Sequence, residues 1–317
     1  MSKDLLIVGV YVDDLIVTGT SESLICTFKR EIQNMFDTSD LGRLSYYLGI
    51  EVHQSEKGNT IDQSGYAKKI LQTARMADCN PSKYPMEPKL HLSKDEEGVP
   101  TNAIEHRRLI GSLRYITHTR PDLGYSVGLV SRYMASPKES HYKAFKQILR
   151  YIKGTMSYGP FYHKGGNGRL HGYSDSSHGM DPDDRKGTTG MAFYFSGNLI
   201  TWCLQKQRTV ALSSYEAEFM AATSAACQAL WLRNLLVDLT GWEAQRVKLY
   251  VDNKSAISLM KNPVFHGRSK HIDTKFHFIR ECIEEGSIYI EHISGKEQKA
   301  DILTKALPKL KFLEMRD

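Results

Sequence analysis

The order of strands and helices after a glycine-rich break constrains the fold of this chain most strongly. The segment "HKGGNGR" at residues 163–169 carries three glycines and an asparagine, a composition that a helix does not tolerate. Beyond it the hydrophobic pattern reads as three short strands, a long helix, a strand, two helices, a strand and a last helix. This order predicts a mixed five-stranded sheet with helices packed against it.

The bounds of these elements follow from their apolar runs and breakers. The predicted strands are 170–174, 191–195, 199–203, 247–251 and 287–292. The predicted helices are 214–239, which Gly241 ends, then 254–261, 274–285 and 298–306.

The first 165 residues show a different order of predicted strands and helices. Two β-rich runs, 5–12 and 15–18, meet at the adjacent acids Asp13 and Asp14, and a helix is predicted over 22–36. A strand pair over 41–54 and 58–63, a helix over 64–76, a linker with four prolines over 80–101 and helices over 104–153 follow in that order. We therefore expect three units, at residues 1–100, 101–165 and 166–310, followed by a tail at 311–317. The expected fold class of the chain is α/β and α+β.

Positive charge is concentrated in the predicted helical middle. Residues 104–153 hold ten Lys and Arg against three acids, whereas the whole chain has a net charge of +6. Tyrosines alternate with these cations, a pattern that suits nucleic acid. A solvated helical surface over an aromatic core explains the pattern about equally well. The candidate contacts are Arg107, Arg108, Arg114, Arg120, Lys143, Lys146 and Arg150.

Cysteine usage and the first apolar run bear on the compartment. The five cysteines are scattered without a C-x-x-C pair, which disfavours a zinc site or a disulfide framework and favours a reducing, intracellular setting. The apolar run at residues 5–19 is interrupted by the acid pair well short of the ~20 residues that a membrane span needs. It also lacks the features of a secretory signal. We expect an intracellular protein, cytoplasmic or nuclear, with no membrane partner.

Four acids in the second half stand where a sheet would gather them. Asp175 and Asp252 come at strand ends, Glu218 lies in the long alanine-rich helix, and Asp301 lies in the last predicted helix. Converging carboxylates repel one another unless divalent cations neutralise them, and such oxygen sites suit Mg²⁺ or Mn²⁺. Each acid alone also has an ordinary explanation as a turn former, a helix cap or an exposed residue. The order of the four, on strand, helix, strand and helix, favours the site.

Glu216 competes with Glu218 for the place in this site. Ser213 and Glu216 have the S-x-x-E spacing of a capping box, which gives Glu216 a structural role at the start of the helix. Two positions on a helix differ by ~200° of rotation, so the two glutamates do not share a site. We assign Glu216 to the cap and Glu218 to chemistry.

Several stretches go beyond such patterns and resemble one family. "YSDSSHG", "TWCLQKQRTVALSSYEAEFMA", "YVDNKSAISLMKNPVFHGRSKHIDTKFHFIRE" and "KADILTKAL" closely resemble the ribonuclease H domain of copia-type LTR retrotransposon Pol polyproteins. "YVDDLIVTG", "YYLGIEV" and "RRLIGSLRYITHTRPDLGYSVGLVSRYMASPKESHYKAFKQILRYIKGT" resemble the reverse transcriptase palm and the helical thumb-connection of the same polyprotein. The resemblance spans nearly the whole chain in the family's order.

The resemblance implies functions for the acids. Asp175, Glu218, Asp252 and Asp301 would be the metal-binding tetrad of a ribonuclease H site, with two Mg²⁺ or Mn²⁺ ions about 3.5–4 Å apart. Such a site hydrolyses the RNA strand of RNA–DNA hybrids. The chain departs from the family where "SSHG" follows Asp175, since the family commonly reads D-W-A-G there.

Asp13 and Asp14 match the YVDD element of the polymerase, which shares its ions with a third carboxylate upstream. Asp4 is the only acid before the pair and lies ~30 Å away along extended chain, so it does not supply that ligand. We therefore expect a truncated palm that is unlikely to polymerise alone and that makes residues 1–100 the least stable part. The remaining polymerase half or a second Pol copy is an expected partner, beside the hybrid.

Two alternatives remain open from the sequence. In the first alternative, the chain is a catalytically inert retroelement relic that acts at most as a nucleic-acid-binding module. It would then bind an RNA–DNA hybrid without metal-dependent cleavage. Another nuclease of the same general fold, such as an integrase or a resolvase, relies on three acids and fits the wording of the motifs less well.

Overall fold

The computed structural model describes residues 4–261 and 273–317. Residues 262–272, which belong to one of the motifs that carry the family resemblance, lie outside the described residues. In the part of the chain that is described, no helix has the length and apolar character needed to cross a lipid bilayer.

The chain begins with a hairpin and one helix. Strands β1 (Leu6–Tyr11) and β2 (Asp14–Gly19) pair antiparallel, and helix α1 (Glu22–Met35) follows, close to the predicted bounds. The Ser21 hydroxyl caps α1 by accepting the N–H of Leu24. No residue from 4 to 57 is buried, so the hairpin and α1 have no core of their own.

A four-stranded antiparallel sheet and a group of helices come next. The strands are β3 (Tyr46–Tyr47), β4 (Ile50–Gln54), β5 (Gly58–Asp62) and, later in the chain, β6 (Phe161–His163). The helices between β5 and β6 are α2 (Ser64–Thr73), α3 (Ala103–Ile116), α4 (Gly124–Val130) and α5 (Glu139–Gly154). Their apolar faces form a first core, which also buries Met86 and Leu92 of the proline-rich segment.

The second half contains the predicted five-stranded sheet. Its strands are β7 (Leu170–Ser176), β8 (Thr188–Phe195), β9 (Asn198–Lys206), β10 (Val247–Val251) and β11 (Ile288–His292), arranged in the order β11-β10-β7-β8-β9. The first three strands pair antiparallel, and β10 pairs parallel with both β7 and β11. The sheet is therefore mixed, as the order of elements predicted.

One face of this sheet is covered by the long helix α6 (Ser214–Thr240) together with α7 (Lys254–Lys261) and α8 (Asp273–Glu284). Small residues let α6 lie close to the strands: Ala217, Ala222, Ala225 and Ala229 are fully buried in this second core. Gly241 ends α6 in the left-handed conformation, with φ 67°. The predicted start, length and end of this helix are confirmed.

The other face meets the helices of the first half. Ala192 of β8 belongs to the first core, and Leu204 of β9 packs against it beside Gly124 and Gly128 of α4. The sheet thus lies between α6 and the helical group. The division of the chain at residues 100, 165 and 310 stays a prediction.

Two expectations for the end of the chain are wrong. The predicted helix 298–306 is a short 3₁₀ turn, Lys299–Leu303, because Gln298 and Thr304 are tied to β7 at either side of it. The expected tail 311–317 lies largely in helix α9 (Lys309–Arg316), whose Phe312 is buried with its ring centre 5.6 Å from that of Tyr151. The apolar ring of Phe312 is the reason that this segment packs.

Candidate metal centre

Two of the predicted acids meet at one edge of the sheet because their strands are parallel neighbours. Asp175 is next to last in β7, and Asp252 directly follows β10. Side chains alternate along a strand, and Ser174 lies toward the α6 side of the sheet. Asp175 therefore faces away from α6, and the residue as a whole is 1% exposed. Asp252 is free of the capping role that its position allowed, since Asn253 Oδ1 accepts the N–H of Ala256 at 3.0 Å.

Helix α6 contributes Glu218 from its second turn. Its Oε1 accepts the backbone N–H of Ser176 at 3.0 Å, which fixes the side chain at the end of β7. Glu216 has the structural role expected for it: Ser213 Oγ accepts the N–H of Glu216, and Glu216 Oε2 accepts the N–H of Leu212 at 3.1 Å. The cap is confirmed and is separate from the acid site.

Asp301 reaches the site on the 3₁₀ turn. This turn approaches β8 closely at Gly190, where a Cβ atom would lie 2.6 Å from the methyl group of Thr304. The Thr304 hydroxyl donates a hydrogen bond to Asp175 Oδ2, and Gln298 Nε2 donates to the carbonyl of Ser174 at 2.9 Å. These contacts hold Asp301, which is 5% exposed, beside the ends of β7 and β10.

The structure brings the four predicted acids together. One oxygen from each of Asp175, Asp252 and Asp301 lies within 4.8 Å of the other two. Glu218 is close enough for its charge to interact with Asp175 and Asp252. The burial of carboxylates so near to one another costs free energy unless cations or protons compensate them.

The electrostatics of the cluster show that cost. Burial and the charges of Asp175 and Asp252 raise the pKa of Glu218 to about 10. Burial and Asp175 raise the pKa of Asp301 to about 6, although the neighbouring Lys305 acts in the opposite direction. Burial and Asp175 also raise the pKa of Asp252. The cluster is therefore a strong attractor for positive charge.

The donor set fits divalent cations that prefer oxygen. All four side chains offer carboxylate oxygens, the ligand type of Mg²⁺ and Mn²⁺. Glu218 Oε2 is buried, and no hydrogen-bond donor of the described residues reaches it. A buried carboxyl oxygen without a partner is explained by a cation that it would bind.

The sequence reasoning missed Lys305 and Thr304, which also contact the cluster. Lys305 Nζ lies 2.7 Å from Asp301 Oδ1 and 3.6 Å from Asp175 Oδ2. The signal was present in "ADILTKAL", since a lysine four positions after an acid lies on the same face of a helical turn. Nothing in the sequence linked either residue to Asp175, which is more than 120 positions earlier.

A second group of possible ligands lies in the four-stranded sheet and was not foreseen. Glu51, His53 and Asp62 each offer an atom within 4.8 Å of the others. Both carboxylates already have structural partners at the start of α2: Glu51 accepts the N–H of Gly65, and Asp62 accepts the N–H of Ser64. Asp62 also pairs with His53 at 3.0 Å. These partners account for the group without an ion.

Asp13 and Asp14 lie where the hairpin of β1 and β2 turns. Both acids are exposed, and Val12 before them has a φ of 52°, a left-handed conformation that is strained for a β-branched residue. Among the described residues, two groups of three side chains are able to hold an ion, and neither includes Asp13 or Asp14.

The candidate nucleic-acid contacts divide into a surface set and one buried residue. Six are exposed on α3 and α5: Arg107, Arg108, Arg114, Lys143, Lys146 and Arg150. The expectation for Arg120 is wrong, because this residue is 1% exposed. Its guanidinium donates to both carboxylate oxygens of Asp122, at 2.9 and 2.7 Å, and to the carbonyl of Thr155. Arg120 is thus bonded within the helical group and is not part of its exposed cationic surface.

The strand order and pairing of the sheet, with acids at the shared ends of β7 and β10, are those of a ribonuclease H-like fold. Comparisons with known proteins extend this. The family described as "Reverse transcriptase (RNA-dependent DNA polymerase)" matches residues 1–88. The retrovirus-related Pol polyprotein from transposon RE1 of Arabidopsis thaliana is 36% identical over 310 residues, which cover 98% of this chain and 21% of that protein.

A second relative gives the same result. The retrovirus-related Pol polyprotein from transposon TNT 1-94 of Nicotiana tabacum is 36% identical over 323 residues, which cover 98% of this chain and 24% of that protein. The chain therefore belongs to the retrovirus-related Pol polyproteins of copia-type transposons, and it spans about a fifth of the length of these relatives.

Among solved structures, LC11-RNase H1, isolated from compost, aligns with 44% of this chain and 94% of its own. The two share 18% identity with a TM-score of 0.33.

Proposed function

We propose that the second half of this chain is a divalent-metal-dependent ribonuclease that hydrolyses the RNA strand of RNA–DNA hybrids. One observation carries the proposal: carboxylates from β7, β10 and the 3₁₀ turn converge within 4.8 Å beside a buried glutamate of α6. The membership in the Pol family and the ribonuclease H-like sheet support the same class of reaction.

The chain's own residues would hold the ions and order the site. Asp175, Glu218, Asp252 and Asp301 would hold the ions through their carboxylate oxygens. Two Mg²⁺ or Mn²⁺ ions bound there would supply an activated water and would stabilise the leaving oxygen of the phosphodiester. Thr304 and the N–H of Ser176 already orient Asp175 and Glu218 by hydrogen bonds. Little reorganisation of these two acids is then needed on binding.

The hybrid would be held by the exposed cations of α3 and α5. Six Lys and Arg side chains on these two helices offer contacts to phosphates, and such contacts make binding strongly dependent on salt. Recognition of the RNA strand would rest on its 2′-hydroxyl groups. The reaction and its substrate belong inside the cell, in the cytoplasm or nucleus, where the free cysteines of the described chain would stay reduced.

For the polymerase element we propose no independent activity. Asp13 and Asp14 are exposed on a two-stranded hairpin, and among the described residues no third carboxylate joins them in a metal-binding group. Primer extension by this chain on an RNA template would contradict this part of the proposal.

The direct test is cleavage of an end-labelled hybrid by the full chain with Mg²⁺. We expect cleavage of the RNA strand, and a loss of roughly a hundredfold or more in the Asp252→Asn variant, because loss of a ligand exceeds the 10–100-fold effect of residues behind the ligands. Asp238→Asn makes the same change on an exposed residue of α6 and should cleave like the wild type. Undiminished cleavage by Asp252→Asn would contradict the assignment of these acids to a catalytic metal site.

The exposed cations also favour a second candidate, a nucleic-acid-binding module without catalysis. In that case the wild-type chain binds the hybrid in a salt-dependent way but yields no Mg²⁺-dependent product. The same labelled substrate distinguishes the two candidates.

A further inference from the structure

A lysine lies inside the acid cluster that is proposed to bind divalent cations. The Lys305 ammonium is 2.7 Å from Asp301 Oδ1 and 3.6 Å from Asp175 Oδ2. Its positive charge also acts on Asp252 and Glu218. One ammonium group therefore interacts with all four acids of the proposed metal site.

The position of Lys305 is built into the fold. It follows Thr304, whose hydroxyl is bonded to Asp175, and its own N–H donates to the carbonyl of Asp301 at 3.2 Å. The other lysine near the cluster, Lys311, lies farther from Asp301, at 3.7 Å, and donates to the carbonyls of Gly295 and Lys296. Lys305 is thus the lysine that joins acids from β7 and the 3₁₀ turn.

The side chain also has a way out. Its exposed fraction is 39%, whereas those of Asp175 and Asp301 are 2% and 7%. Both acids are buried, and Thr304 holds Asp175 by a hydrogen bond, but the lysine side chain is partly exposed to solvent and is able to swing away from the cluster.

We propose that Lys305 is an internal counter-cation, which neutralises the acid cluster when no divalent ion is bound and has to leave it when ions bind. This inference rests on the proposed function, since it concerns the same site. An ion that binds Asp175 and Asp301 takes the oxygens that the ammonium contacts. Two cations this close repel strongly in a half-buried site. Lys305 therefore stabilises the metal-free protein and weakens metal binding.

The test compares the affinity of the full chain for Mn²⁺ between variants, by calorimetry and by the electron paramagnetic resonance of the free ion. Lys305→Met should bind Mn²⁺ tighter by on the order of tenfold, because removal of the competing charge favours the ion. Lys305→Arg, which keeps the charge, should bind like the wild type. Lys309→Met removes the same charge from an exposed residue of α9 and should also match the wild type.

A second measurement separates competition from a purely structural role. In EDTA, Lys305→Met should unfold at a lower temperature than the wild type, and saturating Mg²⁺ should close that gap. An equal loss with and without Mg²⁺, or Mn²⁺ affinity that is unchanged or weaker, overturns the proposal for Lys305.

The outcomes also distinguish this proposal from the proposed function. If Lys305→Met binds Mn²⁺ more tightly than the wild type but the wild type does not cleave the hybrid, the counter-cation proposal is supported and the ribonuclease proposal is contradicted. If the wild type cleaves the hybrid but binds Mn²⁺ with the same affinity as Lys305→Met, the ribonuclease proposal is supported and the counter-cation proposal is contradicted. If neither the wild type nor Lys305→Met binds Mn²⁺, both proposals are overturned.

Discussion

The two acidic motifs of this chain lie in opposite environments. Asp13 and Asp14 are exposed on a hairpin that lies in a stretch, residues 4–57, without a buried residue. Asp175 and Asp301 are 1% and 5% exposed, the first in a strand of the five-stranded sheet and the second on the 3₁₀ turn beside it. The second environment changes the chemistry of its acids, since burial and mutual repulsion raise the pKa values of Glu218, Asp252 and Asp301.

The difference shows what a cluster of carboxylates needs. Acids in water keep their ordinary behaviour, and their mutual repulsion is screened. A sheet edge covered on both faces removes that water and brings charges from distant parts of the chain together. The stability of the surrounding core has to offset this cost, and the hairpin has no such core.

The largest expected contrast is in protection from proteolysis. Trypsin should cut at exposed Arg30 and Arg43 on the order of a hundredfold faster than at Lys248, which lies in β10 with a paired strand on either side, because segments without buried contacts open at little cost. Mass spectrometry of fragments over time measures both rates. The two regions should be cut equally fast in denaturant. A cut at Lys248 that appears as early as the one at Arg30 would contradict the comparison.

The next effect is on the pH dependence of stability. The pKa of Glu218 rises from 4.5 to about 10 on folding, and that of Asp301 from 3.8 to about 6. Between these values the folded state holds protons that the unfolded chain has released, so the free energy of unfolding in EDTA should fall as pH rises. The fall should begin near pH 4, with Asp301 contributing to about 6 and Glu218 beyond it. Urea titrations at several pH values measure it.

Glu218→Gln provides the matched variant for that experiment. At pH 8 in EDTA it should be more stable than the wild type by roughly 1–3 kcal/mol, because Gln does not need the proton that buried Glu218 takes up when the chain folds. Its pH dependence should be flatter, and Mg²⁺ should stabilise it less than the wild type. A wild type whose stability in EDTA rises from pH 5 to 8 would show that the cluster is already compensated.

The smallest expected effect comes from the exposed pair. The double variant Asp13→Asn, Asp14→Asn should cleave the hybrid at the wild-type rate and unfold within about 1 °C of the wild type, as surface substitutions usually do. Hybrid cleavage and a thermal melt measure these. A loss of cleavage would mean that the two acidic regions are coupled.

Much of the local structure could be predicted from the sequence because its signals are local. The bounds 247–251 and 254–261 match β10 and α7, and Gly241 ends α6 as expected. The S-x-x-E spacing assigned Glu216 to the cap, which left Glu218 for the cluster. Hydrophobic periodicity and helix capping depend on neighbours within a few positions, so both can be recognised from the sequence alone.

The wrong expectations depend on distant partners. Arg120 is of a residue type that usually contacts ligands at the surface. It is buried instead, because Asp122 and Thr155 accept the hydrogen bonds of its guanidinium. The last helix is shortened to a 3₁₀ turn because it is tied to β7. The sequence predicted a tail at 311–317, but in the fold Phe312 of this segment packs against Tyr151. Each outcome depends on a contact that sequence spacing does not reveal.

The sequence by itself determined which residue types stand at strand ends and helix starts, and therefore which acids were candidates for a site. Only the tertiary structure decided that Asp175, Asp252 and Asp301 share a space within 4.8 Å and that Lys305 enters it. The physical reason is that hydrophobic periodicity and capping act over a few residues. Desolvation and charge coupling, in contrast, depend on what the folded chain brings together across more than a hundred positions.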